Sequence, residues 1–71
     1  MSDTIDDIVK DGYTLLYTAV EDKMAIYKKG QVRAMVGLEK KKVVTLYPAT
    51  YKNEKEELKA YEKMYGGGKD E

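Results

Sequence analysis

Histidine, cysteine, tryptophan and phenylalanine are all missing from these 71 residues. Without cysteine or histidine there is no disulfide, and no zinc site of the usual ligand set, to staple the fold, although chains this short often depend on one. The core must therefore come from aliphatic side chains and tyrosine, or stability must be drawn from a second copy of the chain. Seventy-one residues suffice for one domain. Its small core makes a homodimer the expected state.

The same absences limit chemistry. The commonest general base, the strongest biological nucleophile and the two best zinc ligands are not available. Carboxylates, lysines, hydroxyls, seven tyrosines and one arginine, Arg33, remain. This inventory predicts a protein that is not an enzyme and carries no cofactor or metal. Asp3, Asp6 and Asp7 cluster, but their spacing fits no calcium loop. Acids interacting with a helix dipole explain them better.

The formal charge of zero is a cancellation. Residues 1–22 carry a net of −5, residues 23–42 a net of +6 and residues 43–71 a net of −1. The acidic start is unlike a secretory leader, and no apolar run is long enough to span a membrane. A cytoplasmic protein with no membrane partner is expected, and a protein packaged in a virus would look the same. Gln31 and Asn53 are the only side-chain amides, while 37% of residues are charged. That balance is the one hyperthermophile proteins show, so a thermophilic source is a further expectation.

Ser2 to Asp11 reads as a short helix. Ser2, Asp3 or Thr4 can cap it, Ile5, Ile8 and Val9 form one apolar stripe, and Gly12 can end it in a left-handed turn. From Tyr13 the period changes to that of strands. Tyr13–Val20, Met24–Lys28, Gln31–Leu38 and Val43–Tyr47 are rich in Val, Ile, Tyr and Thr, with hairpin-sized gaps between them. Pro48 lacks the amide that would continue the fourth. Glu and Lys at four-residue spacings then predict a helix from Asn53 to Tyr65, capped by Thr50 or Asn53, burying Leu58, Tyr61 and Tyr65 with Met64 flanking. The fold expected is α+β: an N-terminal helix, a four-stranded antiparallel β-meander, and a C-terminal helix packed on one sheet face. Residues 1–65 would form the single domain, and residues 66–71 a Gly-rich, charged tail.

Closing the middle hairpin on Lys29-Gly30 pairs Lys28 with Gln31 and Ile26 with Arg33. One sheet face then shows Tyr27, Ala25, Val32, Ala34, Val36 and Leu38, almost wholly apolar, and should receive the helices. The other shows Lys28, Ile26, Met24, Gln31, Arg33 and Met35. Met and Arg are both enriched at protein contacts, so Met24, Ile26, Arg33 and Met35 are the candidate interface for a homodimer or an unknown protein partner. Solvent exposure with scattered apolar atoms is the competing account.

Lys28, Lys29, Arg33, Lys40, Lys41 and Lys42 are candidate nucleic-acid contacts, with tyrosines for base stacking. In a meander, however, the turns after strands two and three lie at opposite ends of the sheet, about 15–20 Å apart. Lysine at turns also guards edges against aggregation. The seven tyrosines suit the rim of a core, because each hydroxyl needs a partner; Tyr47 and Tyr51, flanking Pro48, stay open.

With Arg33, Lys28 and Tyr47 on strands of a compact sheet preceded by a helix, and no histidine, the chain resembles small RelE-like ribonuclease toxins in general outline. That resemblance implies a metal-independent ribonuclease as a weaker alternative, although the strongly basic charge of that class is missing. The favoured expectation is a small non-enzymatic interaction module, a self-associating regulator or inhibitor acting by protein–protein contact. Its size suggests a virus or mobile element as source, and nucleic-acid binding is the alternative.

Overall fold

Local sequence signals place the first helix and the turn that follows it. The computed structural model describes residues 3–66. Helix α1 spans Ile5–Lys10. Thr4 caps it in a reciprocal box: the Asp7 amide donates to Thr4 Oγ1 at 3.2 Å, and the Thr4 amide to Asp7 Oδ2 at 3.1 Å. Those bonds hold the Asp7 carboxyl below its ordinary value. At the other end, Gly12 takes φ +105°, and the amides of Gly12 and Tyr13 donate back to Val9 and Ile8. This double closure needs a left-handed residue at position 12, which glycine supplies without a Cβ penalty. Ser2, an expected cap candidate, lies outside the described residues.

Four strands follow as the alternation predicts: β1 Thr14–Ala19, β2 Met24–Lys29, β3 Val32–Gly37 and β4 Lys42–Pro48. They form one antiparallel sheet in the order β1-β2-β3-β4. Helix α2, Glu54–Tyr65, begins at Asn53, whose side chain accepts the Glu56 amide at 2.9 Å. Gly66 caps its end. Gly67 to Glu71, expected to be a solvated tail, lie outside the described residues.

The middle hairpin differs from expectation in register. Lys29 pairs with Val32 and Lys28 with Arg33, so the turn is Gly30-Gln31. Gly30 carries the positive φ, +58°, at the first loop position, the place where a two-residue hairpin of the II′ kind wants glycine. The shift is two residues. Since side chains alternate with period two, every residue keeps its face although its partner changes.

The two faces are covered by different helices. On one, Ile8 of α1 packs with Ala25, Ala34 and Val36, and Ile5, Tyr13, Tyr27, Leu38 and Val43 close around them. On the other, α2 lies over Ile26, Tyr17, Arg33 and Tyr47. The sequence led us to expect both helices on the apolar face. Instead α2 covers the mixed one, where its Glu57 meets the guanidinium that the helix buries. The helix face differs accordingly: Glu57 and Tyr61 are buried, Leu58 and Tyr65 are half-buried and Met64 is exposed.

Candidate functional site

The most concentrated chemistry in the molecule lies between β3 and α2. Arg33 projects from β3 on the α2 side, opposite Tyr47 of β4. Its Nε donates to Glu57 Oε2 at 2.7 Å and Nη2 to Glu57 Oε1 at 3.0 Å, a two-pronged pair. The remaining nitrogen, Nη1, donates to the carbonyls of Gly30 and Val32 at 2.9 and 3.1 Å. One turn along α2, the Tyr61 hydroxyl donates to Glu57 Oε2 at 2.6 Å and shares a 2.8 Å bond with the Tyr47 hydroxyl. Arg33 and Glu57 are 4% and 1% exposed. Among the described residues no buried side-chain nitrogen or oxygen lacks a partner. A buried pair is tolerable only when satisfied in this way.

Tyr17, Tyr51 and Tyr65 pack around the Tyr61 ring at centroid distances of 5.6, 6.1 and 6.2 Å. Burial raises the Tyr61 hydroxyl well above the ordinary tyrosine value, and its bond to the Glu57 carboxylate adds to the shift. Tyr47 and Tyr17 are raised as well, chiefly by burial. Glu57 goes the other way: the hydrogen bonds from Arg33 hold its carboxyl below the ordinary value against the opposing effect of burial. Arg33 is raised by the same bonds. In this cluster the carboxylate is the ionised group and the phenols keep their protons. The network joins α2 to the sheet.

Of the expected interface, Ile26 is fully buried and Arg33 is engaged with Glu57, so neither meets a partner while α2 is in place. Met24 and Met35 on the same face are half-buried. Residue pattern alone leaves the mixed face open, since nothing local to α2 or the strands says that the helix covers it. Glu57 was missed altogether. It belongs to a run of Glu and Lys that reads as solvent-facing; two signals point the other way, its spacing of four residues before Tyr61 on the expected buried stripe and the lone arginine in a strand, which calls for a carboxylate once buried.

The basic residues are dispersed. Lys28 is ion-paired with Glu54, Lys29 with Asp11 at 3.3 Å, and Lys23 with Glu39 at 3.0 Å. Lys29 and Lys42 sit at opposite ends of β3, facing Val32 and Gly37. Lys40, Lys41 and Lys42 are exposed at the turn between β3 and β4, with no ion pair among the described residues.

Apolar surface is exposed on the α1 side instead. Leu15, Tyr27, Ala34 and Leu46 form one row across the four strands, and Val32 pairs with Pro48 in the next. Ala34 is sealed, but Leu15 and Leu46 are 54% and 57% exposed, and Val32 is exposed too. Six residues of α1 are too few to cover four strands.

No family model, curated protein or solved structure gives a significant match to this chain. The class that the fold defines is a small α+β domain, an antiparallel four-stranded sheet with one helix on each face. Among the described residues no helix is long and apolar enough to cross a membrane, and no three acidic side chains gather as a metal site would need.

Proposed function

We propose that this chain is a non-enzymatic interaction module, a regulator or inhibitor that acts by binding another protein through the sheet surface that α1 leaves open. The observation that carries this reading is the row ending in Leu15 and Leu46, with Val32 beside it. These exposed aliphatic side chains continue the face whose centre is the core. Leu46 and Val32, neighbours across β3 and β4, form the larger exposed apolar patch and Leu15 a second at the far strand, and exposed apolar patches beside a core mark contact sites. The engagement of Arg33, Lys28 and Lys29 by carboxylates supports the same reading, since those groups would otherwise be the polar tools of catalysis or phosphate binding.

A double substitution, Val32→Glu with Leu46→Glu, tests it. Both side chains are exposed, so the fold should survive with a stability change of about 1 kcal/mol or less. A protein partner recovered by the wild-type chain should be lost. Recovery by both chains, or by neither, counts against the surface. The nucleic-acid reading retains only Lys40, Lys41 and Lys42, and single-stranded RNA or DNA is expected to show no retention at physiological salt.

A further inference from the structure

We propose that β1 is a pairing edge, at which a second copy of this chain adds its own β1 in antiparallel register to make one eight-stranded sheet. A four-stranded sheet has two edges, and this one treats them differently. The β4 edge is covered at its start and interrupted further on. Residues 3–5 lie along its start, with the Val43 amide donating to the Asp3 carbonyl at 2.8 Å and the Ile5 amide to the Lys41 carbonyl at 2.9 Å. A bulge follows at Val44, and Pro48 lacks an amide at the far end. Prolines, bulges and covering segments are the usual protections of an edge.

The β1 edge has one such protection, a bulge at Leu16. The two-residue turn makes Lys29 and Val32 a bonded pair, so by alternation Met24, Ile26 and Lys28 face β1 at Ala19, Tyr17 and Thr14, which turns the amides and carbonyls of Leu15 and Thr18 away from the sheet. Among the described residues, no backbone or side-chain group bonds to these outward groups. Both helices lie over the faces: α1 packs on one, and on the other the end of α2 rests on Tyr17 of β1 through Tyr61 and Tyr65. An unpaired edge of this kind is completed by another strand, and β1 suits its own copy. Tyr13 to Val20 contains no charged residue, whereas β2, β3 and β4 each carry lysine or arginine. A two-fold axis sets a strand against itself, where charges of like sign readily meet and are destabilising. An uncharged strand avoids this.

Matching the outward groups sets Leu15 of each copy opposite Thr18 of the other. Val20, 72% exposed, and Leu15 then lie at the seam. The covered start, the bulge and Pro48 of β4 oppose further addition, so growth is expected to stop at two copies. This pairing rests on the reading of the chain as a contact module; the two surfaces share Leu15, so Thr18→Lys, which lies only at the seam, and Leu46→Lys, which lies only on the open face, tell them apart.

Light scattering and sedimentation of the wild-type chain, with Thr18→Lys, Leu15→Lys and Leu46→Lys, provide the test. Wild type and Leu46→Lys are expected at twice the chain mass, and Thr18→Lys and Leu15→Lys at the chain mass with unchanged circular dichroism. Amide exchange gives a reading without substitution: the Leu15 and Thr18 amides should slow about tenfold or more as wild-type concentration rises through the dimerisation range. A wild-type chain that stays monomeric, one that forms open-ended aggregates, or a dimer broken by Leu46→Lys and kept by Thr18→Lys overturns the proposal. So does concentration-independent exchange at those two amides.

Discussion

Arg33 of β3 holds Glu57 of α2 through two parallel hydrogen bonds, 2.7 and 3.0 Å long, across the sheet face opposite α1. The pair lies between the C-terminal helix and the sheet face that the helix covers. Only Glu57 and Tyr61 of α2 are buried, so the helix is held by a polar network as much as by apolar packing. Removing one partner should therefore cost far more than removing both.

Glu57→Ala leaves a buried guanidinium without its counter-charge, at a cost of about 3–5 kcal/mol. In a domain of this size that is most of the net stability. The variant is expected to lose its cooperative thermal transition by circular dichroism. The double variant Arg33→Met with Glu57→Leu should recover a transition near that of the wild type, because neither charge is then buried. A double variant no more stable than Glu57→Ala would show that the pair does more than balance itself.

Ile26→Glu buries a carboxylate under α2 and is expected to unfold the chain, with the helical and sheet signals lost together. Val32→Glu, on an exposed position of the neighbouring strand, should keep both signals. Equal effects at the two positions would contradict the placement of α2.

Acid should loosen the molecule through Glu57. Its folded carboxyl is held below the ordinary value, chiefly by Arg33, so the stability it contributes is full above about pH 4.3, the ordinary glutamate value, and is lost as pH falls through the folded one. Tyr61 works at the other limit. Its folded hydroxyl is raised by burial and by Glu57, so its contribution is full below about pH 10 and is lost as pH rises further. Urea titrations across pH should show both declines. Glu57→Gln should flatten the acid limb, and Tyr61→Phe should shallow the alkaline limb while Tyr17 and Tyr47 retain part of it.

The caps of α1 give a graded pair. Thr4→Ala removes the acceptor for the Asp7 amide and is expected to cost about 1 kcal/mol. Gly12→Ala places a Cβ on a residue with φ +105° and should cost about 1–2 kcal/mol, read as a lower denaturation midpoint at unchanged slope. A wild-type midpoint in either variant would mean that α1 is not part of the cooperative unit.

What the sequence determined by itself was the local geometry. The Ile5 and Ile8 stripe, Thr4 with Asp7, and Gly12 define α1; alternating Val, Ile and Tyr define four strands; Asn53 and the Glu/Lys spacing define α2. Each of these is an interaction between residues a few positions apart, and period two sorted the faces correctly even where the hairpin register differed by two residues. The tertiary structure alone decided what lay above each face. Helical spacing puts Glu57 one turn before Tyr61, on the stripe that Tyr61 and Tyr65 define, but that a carboxylate would be buried there follows only from its meeting Arg33, 24 residues away. Long-range electrostatic pairing of this kind leaves no periodic trace. For the same reason the exposed surface moved from Ile26 and Arg33 to Leu15, Val32 and Leu46: exposure is what remains after the helices choose their faces.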